Sequence, residues 1–341
     1  MDKFLSTHDE LSQTIQANAV LLYEKLRTLP VDDLGMPPHC LDYFKGSHFK
    51  RLFFSIETSA NLLYRSISAV KKPVDEVIIM DYGAGVGTLY TLAKMIGCKK
   101  VIYNDFLEEW RNSARLIAES IGIHTDEYIL GDIEDTLKEL KQKNIQCDII
   151  ASRNVIEHIY KLDEFFLAIA TAQPKALIYS STTANYKNPA TRIQHRRMHR
   201  KLEKIYLPQR EHMILQIAPS LEQTRAHQLA LHTKGLAGSD IDHATEIYLK
   251  SGKLPDPIPH RTNTCNPANG LWVEHLLKFD EYRQFLGNRY EVSFAAGFWD
   301  THYSSTFLNI LGRLFNALIP MNESLGFILA PFIYVVAKPK K

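Results

Sequence analysis

Val77-Ile78-Ile79-Met80-Asp81-Tyr82-Gly83-Ala84-Gly85-Val86-Gly87 is the stretch on which the reading of this chain turns. Four consecutive apolar residues lead straight into a run with glycine at every second position. A continuous apolar run of this length reads as a central parallel strand, covered on both faces. The glycines let the backbone turn tightly and approach a ligand without Cβ collisions, and Thr88 to Ile96 reads as the helix that follows.

Working outward, the same alternation continues. Lys100–Asp105, Glu127–Leu130, Cys147–Ser152 and Ala176–Ser180 read as further strands, separated by helices at Glu108–Ser120, Ile133–Lys143 and Leu162–Ala172. Strands alternating with helices at this pace predict a doubly wound α/β fold with a mostly parallel sheet. After Thr183 the alternation stops until about Leu277. Such a length is too great for a plain loop, so a helical insertion after strand five is expected. The sheet should resume with Tyr290–Ala295 and close with Phe327–Ala337. Upstream, Leu11, Ile15, Val20, Leu21 and Leu22 fall at helical spacing between Thr7 and Arg27. A proline- and glycine-punctuated segment, Pro30–Gly46, follows. Ser47–Val70 predicts a second helix with Phe49, Leu52, Phe53, Leu62, Leu63 and Ile67 on its buried side. The expected organisation is a helical cap over 1–72, a nucleotide-binding core over 73–185, an inserted lid over 186–277, and the end of the core sheet over 278–341.

The 341 residues are 45% hydrophobic and 23% charged, a globular composition. Lys+Arg 40 against Asp+Glu 38 leaves a net charge of +2, which disfavours nucleic acid as a partner. Cys40, Cys98, Cys147 and Cys265 are scattered without pair spacing, as in a reduced, cytoplasmic protein. The N-terminus is too polar for a signal peptide, and the apolar run Leu325–Ala337, broken by Pro331, is too short to span a bilayer. A soluble protein is expected.

A carboxylate at the end of the second strand, Asp105, lies where it can accept bonds from both hydroxyls of a ribose. An NAD(P)-dependent oxidoreductase would want its third glycine at position 88, occupied here by Thr88. The actual spacing, D-x-G-x-G-x-G over Asp81 to Gly87, resembles motif I of the class I S-adenosylmethionine-dependent methyltransferases. Leu130-Gly131-Asp132-Ile133 is similar to that family's adenine-holding segment. Cys147 to Ile159, with Asn154-Val155-Ile156-Glu157-His158-Ile159, is similar to its D-x-x-x-x-x-x-V-L-E-H-I pattern. The resemblance covers about Val77 to Thr183, roughly a third of the chain. It implies a seven-stranded sheet of the class I methyltransferase type and S-adenosylmethionine as cofactor. The residues it assigns to the cofactor are Asp81, Gly83, Gly85, Gly87, Asp105, Phe106, Asp132, Ile133 and Asn154. The alternatives are the oxidoreductase and a non-catalytic partner protein that binds the same cofactor.

Methyl transfer is an in-line displacement, so alignment and exclusion of water come first. A hydroxyl or amine acceptor also loses a proton, and a base near neutral pKa is useful. Oxygen of a small molecule is the expected acceptor, ahead of nitrogen. Metal-dependent relatives place acids at the end of strand four and after strand five. Ser152-Arg153-Asn154 and Ser181-Thr182-Thr183 stand there instead, so a metal-independent reaction is expected. His158 is the candidate base, with a pocket-wall histidine as the competing reading.

In the insertion, Thr191 to Lys204 is a basic helical stretch. His195 and His199, four residues apart, are expected on a solvated or carboxylate-paired face. Arg192, Arg196 and Arg200 are candidates for meeting an anionic acceptor. Trp272 and Trp299 are candidate pocket walls. Ser239 is the expected N-cap of a helix to Leu249. The apolar stretch Phe307–Leu318 is expected as core or as the surface of a homodimer, ahead of membrane contact.

Overall fold

The computed structural model describes residues 3–256 and 262–340. Three helices, α1 (Glu10–Arg27), α2 (Pro38–Tyr43) and α3 (Leu52–Val70), precede β1 (Ile78–Tyr82). The alternating region follows as α4 (Thr88–Met95), β2 (Lys100–Asp105), α5 (Glu108–Ser120), β3 (Glu127–Leu130), α6 (Ile133–Gln142), β4 (Ile149–Arg153), α7 (Leu162–Ala172) and β5 (Leu177–Thr182). Then come α8 (Pro189–Ile217), α9 (Gln223–His232), α10 (Ser239–Ser251), α11 (Phe279–Leu286), β6 (Tyr290–Ala296), α12 (Thr306–Leu318), α13 (Glu323–Leu329) and β7 (Ile333–Pro339).

The seven strands form one sheet in the order β3-β2-β1-β4-β5-β7-β6. The first five are mutually parallel, and β7 runs antiparallel to both β5 and β6. Because side chains alternate across a strand, neighbours such as Ile79 and Met80 serve opposite faces. Ile79, Val101 and Ile149 pack in one core with residues of α1, α3, α4 and α5. Met80, Ile102 and Ile150 pack in a second core with α6, α7 and α11. The strand order reverses at β1, so a crevice opens beyond the carboxyl ends of β1 and β4, the usual ligand position in such sheets.

Several local expectations are corrected. Phe49 is exposed rather than buried, because it lies before α3, whose side turned to the core carries Leu52 and Phe53. The second N-terminal helix does not begin at Ser47: a wide π-type turn, Phe44–His48, precedes α3, and the punctuated segment before it contains α2. The run Phe327–Ala337 is not one strand. Its first three residues finish α13, and Pro331, which has no N–H for the helix ladder, lies in the break before β7. Gly238, not Ser239, is the N-cap of α10. The α12 stretch is not core within this chain. Gly312 is its one buried residue, while Phe307 is 72% and Ile310 61% exposed. No helix among the described residues is long and apolar enough to cross a membrane.

Candidate active site

Gly83, Gly85 and Gly87 all adopt left-handed backbone (φ 66°, 54° and 81°), a region costly for residues with a Cβ. Their surroundings differ. A Cβ on Gly83 would meet Val155 at 2.7 Å, and one on Gly87 would meet the Tyr90 ring at 1.9 Å. A Cβ on Gly85 would find nothing within 4 Å. Two of the glycines therefore serve packing, and the middle one presents bare backbone to open space.

This loop is tied to the end of β2. The Gly85 amide donates to Asp105 Oδ2 at 2.9 Å, and the Tyr103 hydroxyl donates to the Gly85 carbonyl at 2.8 Å. Asp105 Oδ1 accepts from the Leu107 amide at 3.1 Å. Burial pushes the Asp105 carboxyl up, while its backbone donors oppose the shift. Asp81 is buried below the loop and accepts from the Tyr90 amide at 3.1 Å, fastening α4 to β1. Burial raises Asp81 to about 7, against the pull of the Arg153 guanidinium.

The loop forms one wall of a cavity of about 610 Å³. Arg153 and Asn154 border it from the end of β4, and Ser181 and Thr183 from the end of β5. Asn154 reaches its place in left-handed backbone (φ 57°), held by its amide bond to the Ser181 carbonyl at 2.9 Å. The N-terminal helices add His48, Arg51 and Ser55, and the C-terminal region adds Trp299, Asp300 and Phe332. Arg153 donates to Thr58 Oγ1 at 3.1 Å and to Ser55 Oγ at 2.9 Å, fixing its guanidinium between sheet and cap. His48 is buried against Thr88 Oγ1 at 3.3 Å, and desolvation lowers it to about 3, so it is neutral.

The far wall comes from the segment after β5. His195 on α8 and Glu274 face each other, Nε2 to Oε2, at 4.0 Å, and both line the cavity. Behind them lies Glu157. Its Oε1 accepts from the Thr183 amide at 3.1 Å, and the Thr183 hydroxyl donates to Glu274 Oε2 at 2.8 Å. The chain around Glu274 is zipped to the segment after β4 by Trp272 N to His158 O (3.1 Å) and His275 N to Glu157 O (2.9 Å). Burial and the nearby Glu274 carboxylate raise Glu157 to about 7, with His158 opposing. Burial likewise lowers His195, against the pull of Glu274.

Of the two expectations for His195 and His199, the solvated face is wrong, while the carboxylate pairing holds for His195, which faces Glu274. Both are buried, and His199 Nε2 meets the Val273 and Glu274 carbonyls, which hold α8 against that segment. The arginines of the same helix point elsewhere. Arg192 stacks over the Tyr186 ring at 5.4 Å, and none of Arg192, Arg196 and Arg200 lines the cavity. Two arginines that do, Arg51 and Arg153, were not singled out in the sequence.

His158 does not border the cavity. Its Nδ1 lies 2.9 Å from the Trp272 carbonyl and is therefore the protonated nitrogen. Trp272 is buried off the cavity with its indole N–H on the Tyr160 carbonyl at 3.0 Å, whereas Trp299 lines it. At the end of β3, Asp132 caps α6 by accepting from the Glu134 and Asp135 amides at 2.9 and 3.0 Å. Ile133 is half-buried against the second core, and Phe106 is 68% exposed. These three, like Asp105, lie outside the cavity lining.

No family model matches the chain, and no curated protein matches it. Solved structures that match the chain include many S-adenosylmethionine-dependent methyltransferases. One is the plantazolicin methyltransferase BpumL in complex with SAH, 14% identical, with 96% of this chain and 99% of that chain covered and a TM-score of 0.40. A second is an S-adenosylmethionine-dependent methyltransferase from Mesorhizobium loti, 13% identical over 81% of this chain and 97% of that one, TM-score 0.39. A third, the ribosomal protein L11 methylase from Lactobacillus delbrueckii subsp. bulgaricus, is 18% identical over 37% of this chain, TM-score 0.29. The chain spans 60% of that methylase's length.

Proposed function

We propose that the protein is an S-adenosylmethionine-dependent methyltransferase that acts on an oxygen of a small-molecule acceptor. The observation that carries this reading is Gly85: a left-handed glycine open to the cavity, clasped through its amide to the Asp105 carboxylate at the point where the strand order reverses. Bound there, the cofactor supplies a methyl carbon already activated by a sulfonium.

The residues fit that group from one end to the other. Gly83–Val86 would pass beneath the methionine part, and Arg153, the fixed cation beside them, would take its carboxylate. The free lone pairs of Asp105 would accept from the ribose hydroxyls, and Asp132, Ile133 and Phe106 would meet the adenine beyond. The remaining cavity, walled by His195, Glu274 and Trp299, would hold the acceptor and exclude water. His195 is the group placed to take the acceptor's proton, with Glu274 turned toward its Nε2 to stabilise the charge it gains.

Calorimetry with S-adenosylhomocysteine tests the reading: one site per chain is expected, lost in Asp105→Ala. No heat with either S-adenosylhomocysteine or S-adenosylmethionine would overturn it. Heat with NAD(H) instead would favour the oxidoreductase.

A further inference from the structure

Two carboxylates and two imidazoles gather at the cavity's far wall and behind it, His195 and Glu274 on the lining and Glu157 and His158 beyond, and nothing in the proposed reaction accounts for all of them. Glu157, His158 and Glu274 each place a ligand-capable atom within 4.8 Å of the other two. Glu157 is fully buried, and its Oε2 has no hydrogen-bond partner. Among the described residues, neither Glu157 nor Glu274 is paired with a lysine or arginine. Burying two carboxylates side by side is costly unless a positive charge joins them.

We propose that Glu157, His158 and Glu274 bind a divalent first-row cation at the edge of the cavity. Mixed carboxylate and imidazole donors suit Mn²⁺, Fe²⁺ or Zn²⁺ better than Ca²⁺. Three donors on one ion with bonds of about 2.1 Å lie about 3.0–3.6 Å from one another, so separations of up to 4.8 Å close with side-chain shifts of about an ångström. His158 is already oriented for the task. Its Nδ1–H donates to the Trp272 carbonyl, which leaves the Nε2 lone pair free, the arrangement typical of a metal-bound histidine. The Thr183 hydroxyl, donating to Glu274, plays the same orienting part for a carboxylate. The ends of strands four and five, where metal-dependent relatives carry their acids, lack them here. Glu157 comes four residues after β4 ends, and Glu274 comes from beyond α10.

Glu274 lines the cavity beside His195, so an ion that it helps to hold would border the space for the acceptor. This part rests on the methyltransferase reading. A hydroxyl bound to the cation becomes more acidic. Its proton passes to His195, the oxygen attacks the methyl carbon, and the C–O bond forms as the C–S bond breaks, its electron pair remaining on sulfur as a thioether. The cation is neither oxidised nor reduced.

The test is titration of Mn²⁺ into chelator-treated protein, followed by loss of the free-ion electron paramagnetic resonance signal, alongside calorimetry with S-adenosylhomocysteine. One Mn²⁺ per chain is expected, weakened more than ~10-fold in both Glu274→Gln and His158→Asn. Melting curves confirm that each variant is folded, and Glu157→Gln stands in where one is not. No Mn²⁺ uptake by the wild type, or uptake unchanged in the folded variants, overturns the site. Failure to bind S-adenosylhomocysteine while Mn²⁺ still binds overturns the methyltransferase reading and leaves the metal site standing.

Discussion

The amide of Gly85 and the carboxylate of Asp105, twenty residues apart, are joined by a 2.9 Å hydrogen bond that sets the height of the glycine loop above the sheet. Asp105 holds the loop, and on the proposed reading its remaining lone pairs would also receive the cofactor's ribose. Asp105→Asn keeps one acceptor oxygen and should lower S-adenosylhomocysteine affinity by about tenfold, whereas Asp105→Ala should lower it about a hundredfold. Equal losses in the two variants, measured by calorimetry, would assign the residue to the loop alone.

The three glycines separate folding from binding. Gly87→Ala drives a Cβ into the Tyr90 ring in addition to its left-handed strain, and should cost on the order of 3 kcal/mol in urea denaturation. Gly85→Ala carries the strain alone, about 1–2 kcal/mol. Its methyl group points into open cavity, so cofactor affinity should fall further than stability does.

His195→Gln should reduce kcat by about 10²–10⁴-fold and leave S-adenosylhomocysteine affinity within a factor of two or so, since the imidazole lies on the acceptor wall. A parallel loss of cofactor affinity would place His195 in the cofactor site instead.

Charge reversal at Arg192, Arg196 or Arg200 is expected to leave the acceptor KM unchanged, because none of them borders the cavity. Arg153→Met, in contrast, should weaken the cofactor and also destabilise the fold, since it releases Ser55 and Thr58. A raised KM on reversing Arg196 alone would place the acceptor outside the cavity described.

Glu57 provides a pH signature independent of catalysis. Burial and the neighbouring Asp300 raise it to about 8 from an ordinary value near 4.5. Between those values the folded chain holds a proton that the unfolded chain releases, so stability falls as pH rises through this window. The loss should be about 4 kcal/mol and absent in Glu57→Gln, read from urea midpoints at pH 5 and 9. An identical pH slope in the variant would contradict the burial described.

The sheet is readable because its strands carry short apolar runs, such as Val77–Met80 before the glycine loop and Val101–Tyr103 before Asp105. The reading of Lys100–Asp105 and Glu127–Leu130 agrees with β2 and β3 to the residue. Periodicity is mute where an apolar stretch changes conformation within itself, which is why α13 and β7 were merged. The glycine loop announced itself by spacing that only unusual backbone uses. Glu274 left no such trace. It is a lone acid more than a hundred positions from Glu157, carried to it by hydrogen bonds of the neighbouring backbone and held with φ of 52°. His195 was hidden in a different way, since the charged residues around it describe the outer side of α8 and say nothing of the side turned inward.

The antiparallel course of β7 has a consequence for how occupancy of the crevice must develop. Because the strand starts at the same end where β4 and β5 finish, Phe332 lines the same cavity as Ser55, and the walls join positions nearly three hundred residues apart. A fragment carrying only the alternating half could keep its layers and yet have no enclosed chamber. Ligand capture would then report completion of the entire tertiary structure, and a saturating ligand would brace helices and strands at both extremes of the polypeptide against opening.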